Sequence, residues 1–453
     1  MRQLFQEQLQ FPAPAVDHRH ARELRGIDEI FRNHPDMLVL VLQDLQADVA
    51  AASDGRIGMS AEQVLRAAVL KQLQQWSYDE LSFHLADSMS YRAFCGIGIL
   101  GTGPSRATLQ RNIKAITDET WHAINRIVLG SAAEEGIEDG RKVRTDGTVT
   151  KANVHEPSDS SLLWDAVRVL TRLLVDARAL GVNRFPERRR RAKRRMLGIQ
   201  NAKSERQRRS LYRDLIAVTE ETVTYATQAI AELKPLSGAP EAAKLSAKIQ
   251  HYRILAEAVI DQTTRRVLRG EQVPADEKIF SIFQDHTDII IKDKRDIHYG
   301  HKLTLSTGQS GLVLDWVVED GNPADSTLVV RTIERLKEIY DRVPRQIAFD
   351  GCYASKNNLR EAKALGVKDV AFSKKRGLEI LDMVKSHWVY KRLTNFRAGV
   401  EAWISLLKRS FGLERCTWRG WAGFRRYVGA SIVAANLLTL ARHLMKPAEP
   451  QPM

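Results

Sequence analysis

Two aspartates stand where neighbouring strands would hold two carboxylates close together. Asp146 lies within residues 142–150, a β-branched, alternating stretch typical of a strand, and Asp350 ends the short apolar strand predicted at 345–350. If these strands are parallel neighbours, both carboxylates come within reach of a shared cation. Each aspartate is followed by glycine, which lets a backbone or a ligand approach closely. A single strand-end aspartate more often caps or turns the chain, so the prediction depends on the pair.

A third acid belongs to a helical segment near the C-terminus. Arg397, Glu401 and Lys408 follow the spacing R-x3-E-x6-K. At about 100° per residue, these positions fall within roughly 60° of one another around a helix, so they form one charged stripe. An Arg–Glu pair four residues apart is also a common surface ion pair. Without the two aspartates, a plain salt-bridge ladder would be the better interpretation.

The elements around these residues predict an α/β fold with an interrupted sheet. Helical spacing prevails up to about residue 135, and Ser60 and Ser77 are predicted to begin helices. Strand patterns follow, first around Asp146 and again from 278 onward. Once the helical block between them is removed, strands and helices alternate in the order of a ribonuclease-H-like fold. The predicted strands are 142–150, 278–283, 288–291, 301–306, 311–318, 345–350 and 367–372.

The fold class that follows is a ribonuclease-H-like mixed-sheet core, interrupted by a long α-helical insertion and preceded by an all-α N-terminal domain. Short helices followed by a basic one fit a helix-turn-helix-like DNA reader in the N-terminal domain, and equally a plain helical bundle with a basic face. The tail is expected to be loose. The predicted parts are the helical N-terminal domain 1–135, the core 136–157 with 272–445, the basic helical insertion 158–271 and the tail 446–453.

The charge of the chain indicates a polyanionic partner. Lys and Arg number 69 against 55 Asp and Glu, a formal net charge of +14 over 453 residues, and residues 184–213 alone carry a net +11. Such a density of like charge repels itself unless phosphates or acidic neighbours lie nearby, so DNA is the favoured partner. Six arginines of this segment are predicted to contact DNA: Arg188, Arg189, Arg190, Arg191, Arg194 and Arg195.

Several other classes of protein are disfavoured by the sequence. Three widely spaced cysteines exclude a disulfide framework, and no CxxC pair suggests a structural zinc site. The GxGxxG match at 96–101 follows a helical pattern instead of a strand, so it is read as a loop. The N-terminus has no apolar signal core, and no apolar run reaches the roughly 20 residues of a membrane span. We therefore expect a cytoplasmic protein without a membrane role.

Two further groups of residues leave their roles open. His286, His298 and His301 lie on or near strands without metal-ligand spacing, so DNA-facing or structural roles are expected. The stretch 418–427 interleaves aromatic residues with arginines. Its aromatic residues would either stack on a flipped base or pack in the core, and the sequence does not decide between the two.

The chain resembles bacterial insertion-sequence transposases of the DDE type, and it is most similar to the ISNCY group. The resemblance is carried by residues 145–170, 349–375 and 396–416, with the helical segment 60–94 similar to the front of these enzymes. The related signature Y-x2-R-x3-E-x6-K matches at Arg397, Glu401 and Lys408. It departs at Thr394, where a tyrosine would stand.

The resemblance implies a DNA transposase that cleaves the ends of an insertion sequence and joins their 3′-hydroxyls to target DNA. It implies that Asp146, Asp350 and Glu401 are the catalytic carboxylates and hold two Mg²⁺ ions, which Mn²⁺ could replace. Arg397 and Lys408 would hold the DNA backbone beside the scissile bond.

The same resemblance implies terminal inverted repeats and target DNA as partners. It further implies a homodimer or larger synaptic complex, acting in association with the bacterial nucleoid. Two alternatives stay open at this point. One is a catalytically inactive DNA-binding repressor, and the other is a ribonuclease-H-like nuclease that cuts DNA without joining strands.

Overall fold

The computed structural model describes residues 2–6, 17–47, 58–98, 100–236, 238–275, 277–292 and 296–445. The tail predicted at 446–453 lies outside the described residues. The chain divides into two compact units, the first formed by residues 1–151 and 302–453 and the second by residues 152–301. The helical insertion predicted at 158–271 lies within the second unit. The N-terminal helices share the first unit with most of the predicted sheet, and the domain boundaries drawn from the sequence stay a prediction.

The N-terminal part of the first unit is helical, as predicted. Ser60 and Ser77 each cap a helix through a capping box, in which the serine hydroxyl accepts from the third backbone N–H and that residue's side chain accepts from the serine N–H. Buried aliphatic side chains on these helices belong to the same hydrophobic core as the sheet. The helices are α1 (Arg19–Asn33), α2 (Asp36–Ala47), α3 (Ala61–Gln74), α4 (Tyr78–Asp87), α5 (Met89–Phe94), α6 (Arg106–Ile113) and α7 (Asp118–Glu134).

The strands form a mixed sheet. They are β1 (Lys142–Lys151), β2 (Asp288–Lys292), β3 (Asp296–Thr307), β4 (Val313–Val318), β5 (Gln346–Phe349) and β6 (Asp369–Phe372). In the first unit the strand order is β4-β3-β1-β5-β6. Strand β5 runs parallel to both β1 and β6, while β4 runs antiparallel to β3. In the second unit, β2 pairs antiparallel with Asp296–Gly300, the first part of β3.

The strand predicted at 278–283 is wrong, because these residues form no strand. The side chain of Gln262 takes the backbone groups that a neighbouring strand would otherwise use. Its Oε1 accepts from the Ile279 N–H at 2.8 Å, and its Nε2 donates to the Ile279 carbonyl at 3.4 Å. Ile282 is buried among the helices of the second unit, so its apolar pattern reflects helix packing.

The second unit is mainly helical, as predicted for the insertion. Its helices are α8 (Asp159–Arg178), α9 (Arg189–Gln200), α10 (Glu205–Leu233) and α11 (Pro240–Thr263), and a π-helical turn, Thr264–Arg269, continues α11. Leucine, valine and alanine side chains spaced along α8, α10 and α11 bury one another in a separate core. This unit therefore has a hydrophobic core of its own.

The remaining helices of the first unit follow the sheet strands: α12 (Val329–Tyr340), α13 (Lys356–Ala364), α14 (Ile380–Met383), α15 (His387–Ser410) and α16 (Trp421–Leu444). Helix α16 is buried along most of its length. Its buried Asn436 accepts from the Val313 N–H at 2.9 Å and donates to the Asn125 side chain at 2.7 Å, so this polar residue links α16 to β4 and α7. No helix in the described ranges is long and apolar enough to span a membrane.

Candidate active site

The sheet places Asp146 and Asp350 side by side. Strands β1 and β5 are parallel neighbours, and their register pairs Thr145 with Phe349. Asp146 and Asp350 are the next residues along the two paired segments. The prediction that Asp350 ends a strand beside the strand of Asp146 is therefore confirmed.

Helix α15 brings a guanidinium to both aspartates. Arg397 Nη2 lies 2.8 Å from Asp146 Oδ2 and 3.2 Å from Asp350 Oδ1. Its Nη1 lies 3.2 Å from Glu401 Oε1, one helical turn further along. Three carboxylates from β1, from the end of β5 and from α15 thus converge on one arginine side chain.

The three acids differ in their contact with solvent. The side chain of Asp146 is 16% exposed and that of Asp350 is 30% exposed, whereas Glu401 is 69% exposed. The two aspartates are therefore fixed by the sheet, and Glu401 lies on the open side of the site. A long side chain with that exposure has freedom to reorient when a ligand arrives.

Hydrogen bonds orient the two aspartates. The Gly147 N–H donates to Asp146 Oδ1 at 2.8 Å, and the Ser373 hydroxyl donates to Asp350 Oδ1 at 2.8 Å. Sequence reasoning missed Ser373. Its position gave a usable signal, because it directly follows β6 and parallel strands end at the same edge of a sheet.

The electrostatic surroundings separate the two aspartates. Burial raises the pKa of the Asp146 carboxyl above its usual value, although the charge of Arg397 opposes the shift. Burial also acts on Asp350, but the hydrogen bond from Ser373 and the charge of Arg397 outweigh it and hold that pKa below its usual value. Asp350 is thus the more firmly ionised of the pair.

Two polar atoms beside the carboxylates have no hydrogen-bond partner among the described residues. They are the Arg397 Nε and the Tyr353 hydroxyl, and both are buried. The Tyr353 hydroxyl lies next to Gly147, where an added Cβ would be 3.6 Å away from it. Buried polar atoms are nearly always satisfied, so the site has the features of one completed by a further group.

The donor set suits a hard divalent cation. Carboxylate oxygens are the ligands that Mg²⁺ prefers, and here two aspartate oxygens already converge on one positively charged nitrogen. The described residues contain no group of three or more His, Cys, Asp and Glu side chains arranged to hold a metal. The positive charge among these acids belongs to Arg397 in this structure, so a cation that binds all three requires that side chain to move.

Lys408, the last residue of the predicted stripe, lies apart from these contacts. Its Nζ is 3.7 Å from Glu414 Oε2, and the same carboxylate accepts from Lys151 Nζ at 2.5 Å. The structure thus brings Arg397 and Glu401 together with the aspartates, while Lys408 pairs with a different acid.

The predicted DNA-contacting arginines of the second unit fall into two groups. Arg188 pairs with Glu221 at 2.7 Å, and Arg191 and Arg195 both pair with Asp214. Arg189 pairs with the adjacent Glu187. Arg190 and Arg194 are exposed on α9 together with Lys193, and no described acid lies within ion-pair distance of these three.

The sequence did not predict that two acids on α10 pair with these arginines. Asp214 and Glu221 neutralise arginines that stand 19 to 33 residues earlier in the chain. The predicted self-repulsion is therefore partly relieved within the unit. The outer face of α9 keeps an unneutralised cluster, because its three basic side chains lie at helical spacing on the solvent side.

Two regions of the chain match models of known protein families. Residues 256–437 match the transposase DDE domain, and residues 16–115 match a transposase domain, DUF772. The two matches support an insertion-sequence transposase. Transposases act on DNA, so DNA is the implied substrate. Asp350 and Glu401 lie inside the matched DDE domain, whereas Asp146 precedes it.

No curated protein and no solved structure matches the chain. Residues 116–255, which hold β1 and most of the second unit, lie between the two matched regions. The placement of Asp146 beside the matched domain therefore comes from the structure, through the sheet register and the contact with Arg397.

Proposed function

We propose that this protein is a transposase that cleaves the ends of an insertion sequence and joins their 3′-hydroxyls to target DNA at Asp146, Asp350 and Glu401. The observation that carries the proposal is the convergence of these three acids on Arg397 from three separate elements. The strand order of the first unit supports it, because a central β1 with parallel β5 beside it is the arrangement expected of a ribonuclease-H-like core. Membership of the ISNCY group is part of this proposal.

Asp146, Asp350 and Glu401 would hold two Mg²⁺ ions, or Mn²⁺ in their place. Such ions, when bound, activate the attacking oxygen and stabilise the leaving oxygen of an in-line displacement. The sheet keeps the two aspartates in place, and the Ser373 hydroxyl holds Asp350 ionised and oriented for this task.

Arg397 would turn from the carboxylates toward the DNA backbone once the site is filled. A guanidinium binds phosphate in the same bidentate manner in which it binds carboxylate, so one side chain serves both partners. Lys408, on the same helix, is proposed to hold the backbone further along. The exposed face of α9, with Arg190, Lys193 and Arg194, is proposed to lie on terminal-repeat or flanking DNA.

The assay uses terminal-repeat DNA with labelled ends, Mg²⁺ and the purified full chain. Asp146→Asn, Asp350→Asn and Glu401→Gln should each lower nicking and strand joining by about a thousandfold or more, because several kcal/mol of charge stabilisation is lost. Asp382→Asn is the matched control, since Asp382 is an exposed acid of the same unit outside the site.

The products of the wild-type protein separate the alternatives. Nicking without joined product would indicate a nuclease, and binding without nicking would indicate a repressor. Full activity in a folded Asp146→Asn variant would refute the proposed site. Because transposition joins two ends, a dimer or larger complex on paired ends is proposed, and sizing the complex on DNA tests it.

A further inference from the structure

A second candidate site lies in the first unit, away from the three carboxylates. It is an open cavity of about 570 Å³, lined by the end of α3, the start of α4, α6 and the segment around 408–427. Cavities of several hundred Å³ are typical of small-ligand sites. The residues important here are Lys71, Gln72, Trp76, Tyr78, Lys114 and Trp418.

Hydrogen-bond donors without partners cluster around this cavity. Gln72 Nε2, the Tyr78 hydroxyl and Trp418 Nε1 are buried, and none of them has a hydrogen-bond partner in the described part of the chain. Leaving such a group unsatisfied costs about 1–3 kcal/mol. All three belong to side chains that line the cavity and are able to donate, so an acceptor-rich ligand is the class that would satisfy them once they turn toward it.

A buried lysine adds positive charge to the cavity. Lys71 is only 4% exposed, and no described carboxylate lies within ion-pair distance of it. Its Nζ lies 4.9 Å from the centre of the Tyr78 ring. Burial lowers the pKa of Lys71 to about 8, so the amine is charged at neutral pH but gains from an anion nearby. Lys114, with its Nζ 5.7 Å from the Trp418 ring centre, is a second cation on the wall.

The acids that line the cavity are already engaged. Asp79 pairs with Arg106 at 3.2 Å, and Glu80 accepts from the Ser77 N–H at 2.7 Å in the capping box. Glu414 pairs with two lysines, as described above. The charge of Glu80 offsets part of the charge of Lys71, but no described acid lies within ion-pair distance of either wall lysine, which favours an anionic ligand.

We propose that this cavity binds one unpaired nucleotide, with its base against the rings of Trp76 and Tyr78 and its phosphate at Lys71 and Lys114. Aromatic rings accept any base face, and the base carbonyls and ring nitrogens are acceptors for the unsatisfied donors. Lys408 at the cavity edge follows Glu401 by seven residues, which is about 10 Å along α15. A strand held at the carboxylates would thus pass within reach. The features of the cavity support a nucleotide as its ligand. Only the further statement that this nucleotide belongs to a DNA strand rests on the proposed function.

The test measures binding to the full chain without divalent cations, so that no cleavage is involved. Three probes are compared: a single-stranded oligonucleotide containing 2-aminopurine, the mononucleotide dAMP, and inorganic phosphate. Lys71→Met is the main variant, and Lys244→Met, at an exposed lysine of the second unit, is the matched control. The wild type and the control should quench 2-aminopurine on binding, and Lys71→Met should weaken binding by about ten- to a hundredfold.

Both cavity variants, Lys71→Met and Tyr78→Phe, are expected to fold, so weaker binding can be assigned to the group that each one removes. Lys71→Met removes a buried charge that has no ionic partner, so its melting temperature should equal or exceed that of the wild type. Tyr78→Phe removes an unsatisfied hydroxyl while keeping the ring, and it should fold normally with severalfold weaker binding.

The binding results of wild type, Lys71→Met and Asp146→Asn either support or overturn the proposal. Equal affinity of wild type and Lys71→Met, or dAMP binding no tighter than inorganic phosphate, overturns the proposal. If Lys71→Met weakens binding of the oligonucleotide and of dAMP, the site is assigned to a nucleotide of a DNA strand, and if it weakens binding of dAMP alone, the site is assigned to a free nucleotide. Intact quenching in an Asp146→Asn variant that has lost cleavage shows that this site does not depend on the carboxylate chemistry.

Discussion

Replacing Arg397 with methionine tests whether this arginine holds the three acids in place of a cation. The side chain of Arg397 is 15% exposed, and it lies 2.8 Å from Asp146 and 3.2 Å from Asp350. Breaking a buried pair by removing one partner costs about 3–5 kcal/mol, but Asp350 is partly exposed and Asp146 can bind a proton to limit the cost. Glu401 adds little, because ion pairs of exposed acids contribute about 0–1 kcal/mol. We therefore expect Arg397→Met to lower the free energy of unfolding by about 2–4 kcal/mol at pH 7.

Urea unfolding followed by tryptophan fluorescence measures this loss in the right part of the molecule. Trp164 belongs to the second unit, while the other tryptophans belong to the first, so the signal reports mainly on the unit that holds the site. Arg409→Met is the matched control, because Arg409 is exposed on the same helix and its guanidinium has no acid among the described residues within ion-pair distance. It should change stability by less than about 0.5 kcal/mol.

A divalent cation should compensate for the lost guanidinium. In Arg397→Met the carboxylates are open, and a cation at a hundred times its dissociation constant would restore about 2.7 kcal/mol. In the wild type the cation must first displace Arg397, so Mg²⁺ or Ca²⁺ should stabilise it less when DNA is absent. Equal stability of wild type and variant without cations, or an equal response of both to cations, would show that Arg397 does not hold the acids in place of a cation.

Three further outcomes are expected. His122 stacks on Trp316, with ring centres 3.9 Å apart, and burial lowers its pKa from 6.5 to about 3. The folded protein therefore favours neutral His122, so the stability it contributes is fully present above pH 6.5 and falls as the pH drops toward 3. Urea titrations at pH 7 and pH 4 should show a larger loss of stability for the wild type than for His122→Phe. Asn436→Leu leaves the Val313 N–H unpaired in the core and should cost about 1–3 kcal/mol in the same titration. Neutralising the outer face of α9 should reduce the slope of log affinity against log salt by about 2.7, and an unchanged slope would place DNA elsewhere. The residues neutralised are Arg190, Lys193 and Arg194.

Much of the site follows from local patterns in the sequence. The β-branched alternation around Asp146 and the apolar run before Asp350 predict two strands, and the order of elements makes those strands neighbours. Helical spacing alone puts Arg397 and Glu401 on one face. These are local or topological regularities, and the structure confirms the strand pairing and the shared face.

The remaining features depend on contacts between distant residues, which periodicity does not reveal. Asp214 lies on α10 and neutralises arginines of α9, so the excess charge of that segment overstates what is available to DNA. Gln262 satisfies the backbone at Ile279, and this removes the strand predicted there. The cavity around Lys71 joins segments more than 300 residues apart, and its unsatisfied donors appear only when those segments are packed.

The position of Arg397 explains how three acids can be kept together before a substrate arrives. Like charges so close would raise one another's pKa and push the site apart, and a buried counter-charge removes that cost. Arg397 contacts three carboxylates in this structure, yet the planar guanidinium also suits a phosphate. If the backbone of DNA draws Arg397 away, the acids lose their counter-charge at the moment when a cation can replace it. DNA removes the guanidinium that competes with the cation for the carboxylates, and the cation occupies the carboxylates that compete with DNA for the guanidinium. DNA binding and cation binding would then favour each other.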